Sequence, residues 1–156
     1  MEQEKQSGIK ILAKNKKAFF NYSVEDKFEC GIELKGTEVK SMKSGKFSFS
    51  DSYVRIVDDE LWLIGFHISA YIHGNIMNHE PERQRKLLAH KQEIKRLKRK
   101  TEERGFTLIP LRFYLKRGIV KVEIGLCRGK KQHDKRESIK HRDLKREADR
   151  EMKQYF

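Results

Sequence analysis

"LIPLRFYLKRGIVKVEIGL", residues 108–126, decides how this chain folds. Two apolar runs, 108–115 and 119–126, flank "KRG" at 116–118, the composition of a tight reversal. In the second run Val120, Val122, Ile124 and Leu126 recur at every other position, with Lys121 and Glu123 between them. Period two places the four on one face of a strand and the charges on the other. A hairpin with one oily face needs partners to cover it.

Partners are readable on both sides. "YVRIV" (53–57) alternates, "DDE" (58–60) marks a turn, and "LWLIGFHI" (61–68) follows as a more buried strand. "FFNYSV" (19–24) and "FECGIEL" (28–34) suggest a third pair joined across "EDK". Two helices fit between the strands. "TEVKSMKSG" (37–45) opens on Thr37 as N-cap and stops at Gly45. "RKLLAHKQEIKRLKRKTEERG" (85–105) carries Leu87, Ile94 and Leu97, with Leu88 and the Lys91 stem, as one apolar stripe ended by Gly105. Arg96, Lys98, Arg99 and Lys100 make its other faces basic, which suits either plain solvation or a polyanion. The expected fold is mainly β: a small antiparallel oligonucleotide-binding-like barrel of about six strands, with about two flanking helices and a basic C-terminal tail. A basic α+β sandwich would read much the same. The expected divisions are a flexible N-terminus (1–8), a β-barrel domain (9–127) and a tail (128–156).

The charge balance narrows the partners. Lys and Arg total 36 against 23 acids, a formal net charge of +13 in 156 residues. Such an excess costs self-repulsion and points to an anionic partner, nucleic acid above all. No apolar run approaches the roughly 20 residues of a membrane span. "MEQEKQSGIKIL" lacks the charged-then-apolar design of a signal peptide, so a cytoplasmic protein without membrane partners is expected. Cys30 and Cys127 lie far apart and read as small buried hydrophobes.

Catalytic signals are missing. His73 and His79 bracket "HGNIMNH" without zinc spacing and read as a polar loop, and His67 reads as a packing residue in a strand. Ser48, Ser50 and Ser52 in "FSFSDSY" have no nucleophile elbow and suit a strand edge or turn, with Asp51 as its cap. Glu29 and Glu38, nine positions apart, could form a carboxylate pair, which that spacing neither requires nor forbids. No phosphate loop and no GxGxxG occur, so neither enzyme activity nor a cofactor or metal is expected.

The tail "GKKQHDKRESIKHRDLKREADREMKQYF" (129–156) holds almost nothing for a core. Its entry is basic; from Glu137 onward helix formers dominate. On a helix, Leu144, Ala148, Met152 and Tyr155 fall on one narrow stripe, Arg142, Arg146 and Arg150 on a second, and Asp143, Glu147 and Glu151 on a third. Same-sign rows and acid-to-base pairs nearly cancel, so the isolated helix is marginal: loose when free, helical against an anionic surface. A permanently solvated helix or a frayed end is the alternative.

Three stretches then resemble the SsrA-binding protein (small protein B) family: 31–54, 73–94 and 125–143. "GTEVKS" (36–41), "SDSY" (50–53), "RKLL" (85–88) and "GKKQHDKR" (129–136) stand in the family's order and spacing. The resemblance covers roughly residues 9–145. It implies an RNA-binding adaptor of bacterial trans-translation that binds the tRNA-like domain of transfer-messenger RNA. It implies delivery of that RNA, with elongation factor Tu engaged indirectly, to ribosomes stalled on messages without a stop codon. A monomer is expected. The resemblance also implies site residues. Asn15, Lys16, Lys17, Glu29, Leu88 and Lys121 match positions tied to RNA binding. Gly129, Lys130, Lys131, His133, Asp134, Lys135 and Arg136 match the motif that approaches the small-subunit decoding region, with Gly129 as hinge and His133 stacking on ribosomal RNA. Arg142, Arg146 and Arg150 follow them into the empty mRNA channel. Two departures stand out: "KAFFNY" puts Phe19 and Phe20 where the family often has a basic residue or His, and "NHEPE" replaces Asp-Pro. A general ribosomal-RNA-binding or ribosome-assembly protein is the competing reading.

Overall fold

The structure is a computed structural model that describes residues 8–73, 77–103, 105–130 and 132–155, with only the backbone of 132–134, 138 and 149–155. Its centre is the hairpin of β8 (Phe106–Lys116) and β9 (Ile119–Gly129), registered from Phe106↔Arg128 to Lys116↔Ile119. Arg117 and Gly118 turn it at φ 52° and 78°, the twist that tight hairpins require. Val120, Val122, Ile124 and Leu126 are all buried, as their spacing demands.

Seven further strands precede this hairpin: β1 (Ile9–Lys14), β2 (Tyr22–Ile32), β3 (Phe47–Ser48), β4 (Tyr53–Val57), β5 (Glu60–Ile64), β6 (His67–Ile68) and β7 (Arg85–Leu88). Helices are α1 (Lys16–Asn21), α2 (Gly36–Lys43), α3 (Lys91–Glu102) and α4 (Gln132–Tyr155). The main sheet runs β1-β8-β4-β5-β7-β2-β9, and β8 also pairs with β9. The ring β8-β4-β5-β7-β2-β9 therefore closes on itself as an antiparallel barrel. Inside it Phe66 and Phe113 stack at 4.6 Å, with Phe47 and Phe49 beside them. Ile94 and Leu97 anchor α3 onto the barrel. Cys30 and Cys127 are free and buried; burial pushes the first up to about 12 and the second to about 11, so both stay thiols at neutral pH.

Several expectations need correcting. The helix expected over 85–105 begins only at Lys91, because "RKLL" is strand β7. Leu87 pairs with Leu61 on one side and Ile32 on the other, filling the gap between β5 and β2. Closing the barrel outweighs a locally plausible helical stripe. The pair expected over 19–34 is instead helix α1 followed by one eleven-residue strand, β2. β9 offers a partner from Tyr22 to Gly31, and "EDK" runs through it past a bulge between Val24 and Asp26. The DDE turn narrows to Asp58 and Asp59, both at positive φ, and Gly65 at φ 77° separates β5 from β6. The N-cap of α2 is Lys35, not Thr37: Glu38 accepts from Lys35 N at 2.8 Å, and Thr37 Oγ1 bonds His79 Nδ1 at 2.8 Å. His79 does lie in the loop between β6 and β7, but it is buried there, its Nε2 against Ile68 O at 2.9 Å.

Candidate nucleic-acid interface

Strand register assembles the first cluster. Tyr114 on β8 lies opposite Lys121 on β9, Lys121 opposite Gly31 on β2, and Gly31 opposite Leu88 on β7. One row thus crosses four strands. Gly31 leaves room for the leucine: a Cβ there would stand 3.2 Å from Leu88 Cβ, which would have to give way slightly. Leu88 ends β7 with 46% of its surface exposed, although Leu87 beside it is buried. Glu29, two residues before Gly31, joins Leu88, Lys121, His90 and Glu93 around a shallow concavity of about 520 Å³.

Glu29 is held from one side. Tyr114 Oη donates to its Oε2 at 2.5 Å, and Lys116 Nζ lies 3.3 Å from Oε1. The Tyr114 bond, with Lys116 and Lys121 nearby, holds its carboxyl below the usual range against the opposing effect of burial. Burial, and then the same contact, push the Tyr114 hydroxyl well up. The cluster therefore offers a fixed carboxylate, half-buried lysines and an exposed leucine. That combination can accept from a hydroxyl or base N–H, neutralise a phosphate and pack on a base face.

Asn15, Lys16 and Lys17 stand in a separate trough with Lys14 and Ser50. Asn15 is itself buried: its Oδ1 accepts from Ala18 N at 3.2 Å, and its Nδ2 donates to Pro110 O at 2.9 Å. It caps α1 and pins it to β8, so it positions the lysines. Lys17 Nζ reaches Asp51 at 2.8 Å; Asp51 serves this pair. Phe19 lies under Lys14 Nζ at 4.6 Å, and Phe20 under the Arg142 guanidinium at 5.6 Å, so both aromatic departures hold cations.

Glu29 and Glu38 form no carboxylate pair. Glu38 is fully buried beneath Arg83 and Arg85, each 2.5 Å away. Arg85, equally buried, also donates to Phe66 O at 2.7 Å and Pro81 O at 2.9 Å, fixing β7 at its start. Sequence reading missed Tyr114 and Arg85, and set Glu38 beside Glu29 where its partners are Arg83 and Arg85; an arginine opening an apolar "RKLL" was the available signal. On α3, Arg96 pairs with Asp26 at 3.0 Å and Lys98 with Asp59 at 3.4 Å, so part of that basic face is already engaged.

In the tail, Gly129 ends β9 opposite Tyr22, and Lys130 N donates to Asn21 O at 2.9 Å. α4 then starts at Gln132, earlier than Glu137. Lys135 is half-buried; Arg136, Arg142, Leu144 and Arg146 are exposed. Lys131 lies outside the described residues, as do the side chains of His133, Asp134, Arg150, Met152 and Tyr155. Among the described residues no group of His, Cys, Asp and Glu is arranged to hold a metal, and no helix is long and apolar enough to cross a membrane.

A closed antiparallel barrel bearing a carboxylate–lysine–leucine cluster, a lysine trough and a basic helix defines a nucleic-acid-binding module. The family model described as SmpB protein matches residues 12–154, and the chain belongs to that family. It is 61% identical over 145 residues to the SsrA-binding protein of Treponema denticola, spanning 93% of this chain and 94% of that one. The Borreliella burgdorferi SsrA-binding protein is 54% identical over 143 residues, 92% and 95% of the two chains. A solved chain described by the words "tmRNA-SmpB: a journey to the center of the bacterial ribosome" superposes at TM-score 0.67 with 43% identity, covering 83% of this chain and 95% of that one.

Proposed function

We propose that this chain is the RNA-binding adaptor of trans-translation in its bacterium. It binds the tRNA-like domain of transfer-messenger RNA and carries it, with elongation factor Tu engaged through the charged RNA, to stalled cytoplasmic ribosomes. It catalyses nothing itself. The convergence of Glu29, Leu88 and Lys121 on one concavity carries this reading, since three distant sequence segments meet there. Lys121 meets a phosphate, Leu88 packs on an unstacked base, and Glu29 accepts from a ribose hydroxyl or base edge. Lys16 and Lys17, set by Asn15, add phosphate contacts. The tail beyond Gly129 enters the vacant mRNA channel, where the row of Arg142, Arg146 and Arg150 lies against ribosomal RNA and firms the helix.

The test is a binding titration against the tRNA-like domain beside a size-matched unrelated hairpin, at low and near-physiological salt. The adaptor reading expects tight binding to the first alone at the higher salt. Equal binding to both, collapsing together with salt, would leave only the attraction of a +13 chain and favour a general ribosomal-RNA-binding protein.

A further inference from the structure

The "SDSY" run (50–53) has no part in the cluster around Glu29. It borders the join of the barrel with the fewest registered pairs. β4 and β8 share the single registered pair Val54↔Leu108. Beside that pair, between Tyr53 and Thr107, the wall opens into a slot of about 270 Å³. Buried Ala18 and Ile109 line it together with Tyr22, Asn21 and Tyr53. Tyr53 keeps 41% of its surface exposed. Charge in the described lining resides only on Lys17 and Asp51, which neutralise each other at 2.8 Å. Both side chains are largely exposed, so their pairing is weak and Lys17 is readily taken by another anion. The wall is shaped in advance: Ser50 stands at φ 49°, and Ser52 N donates to Phe49 O at 3.0 Å.

The slot opens beside the trough of about 420 Å³ that Lys14, Lys16 and Lys17 line, with Asn15, Lys17, Ser50 and Asp51 common to both. A neutral, aromatic-sided slot next to a cationic trough has the polarity of a nucleotide: flat uncharged base, anionic phosphodiester. A free phosphate would find one already paired cation in the slot. We infer that the β4–β8 seam is a pocket for one unstacked nucleobase of a single-stranded RNA segment, with Tyr53 as its stacking ring and the lysine trough as the path of its backbone. This inference rests on the RNA-binding reading but uses a surface separate from the Glu29 cluster. The segment can come from transfer-messenger RNA or from ribosomal RNA, since both present unpaired bases.

The experiment follows the backbone amides of Asn21, Tyr53 and Thr107 by NMR in the full chain during titration with hexaadenylate RNA, and separately with a twelve-base-pair RNA duplex. The pocket predicts shifts at these amides with the hexamer and none with the duplex, whose bases stay stacked. Tyr53→Ala should weaken hexamer binding about fivefold to a hundredfold, and Tyr53→Phe, which keeps the ring, by less than about twofold. Unmoved seam amides with the hexamer, equal movement with the duplex, or a folded Tyr53→Ala protein of unchanged affinity would each overturn it. The wild-type shifts decide the matter even if Tyr53→Ala folds poorly. Titration with the tRNA-like domain and with a decoding-site hairpin then names the source, by which of them moves the seam. Tight, Lys121-dependent binding of the tRNA-like domain alongside a silent seam for every RNA would remove this pocket and leave the adaptor reading standing.

Discussion

Tyr114 Oη donates to Glu29 Oε2 at 2.5 Å, reaching across β9 to join residues 85 positions apart. The bond fixes the only carboxylate of the β8–β9–β2 face that lines the concavity with Leu88 and Lys121. Everything the cluster does with a hydrogen-bond donor depends on where that carboxylate points and on its being ionised.

Replacing Tyr114 by Phe removes this donor while keeping the ring. Glu29 titrates below its ordinary value of 4.5, first because of Tyr114 and then Lys116, against burial. A carboxyl lowered in the folded state contributes stability above its unfolded value and loses it as pH falls through the folded one. In Tyr114→Phe the Glu29 midpoint, followed by carboxyl NMR, should rise toward 4.5. The melting deficit of the variant should be present at pH 7 and vanish at acid pH.

Gly31→Ala tests the row from its middle. The new Cβ meets Leu88 Cβ at 3.2 Å, tighter than ordinary packing, so Leu88 must move. A stability loss of about 1 kcal/mol is expected, with a larger relative loss of affinity for the tRNA-like domain. Unchanged affinity in a folded variant would detach Leu88 from RNA binding.

Lys121→Ala tests phosphate contact directly. The slope of log affinity against log salt should shrink by about 0.7–0.9, one counterion's worth. A slope equal to wild type would assign Lys121 to electrostatic support of Glu29 alone.

Glu38 tests the support beneath the site. Burial opposes its ionisation, but hydrogen bonds from Arg83, Lys35 N and Arg85 prevail and hold it below the usual range. Glu38→Ala leaves Arg85 charged and buried, and should cost about 3–5 kcal/mol by chemical denaturation. The double variant Glu38→Met/Arg85→Met should lose less than the two single losses summed. Because the folded value is lowered, the contribution is present at neutral pH and fades as pH drops below 4.5 through the folded midpoint.

The tail can be removed cleanly only beyond Lys130, since Gly129 pairs with Tyr22 and Lys130 N bonds Asn21 O at 2.9 Å. A chain ending at Lys130 should bind the tRNA-like domain within about twofold of the full chain, because no described residue of α4 lines the Glu29 concavity. It should fail to tag stalled translation products in a reconstituted system. Normal tagging by that protein would end the channel reading of the tail.

What the sequence alone determined is local. Strict alternation over 119–126 and a Lys-Arg-Gly turn specified the β8–β9 hairpin, because period two and a positive-φ turn are readable one residue at a time. The charge excess specified an anionic partner for the same reason: charge adds up whatever the fold. Tertiary structure decided the rest. "RKLL" satisfies a helical stripe as well as a strand, and only the vacant place between β5 and β2 made it β7. The resemblance singled out Glu29, but nothing near it in sequence showed what holds it, because Tyr114 comes within reach only across β9. Glu38 and Arg85 are 47 residues apart and could be known as partners only once both were buried. Contacts between strands distant in sequence are set by closure of the barrel, and closure is a property of the whole chain that no window of it contains.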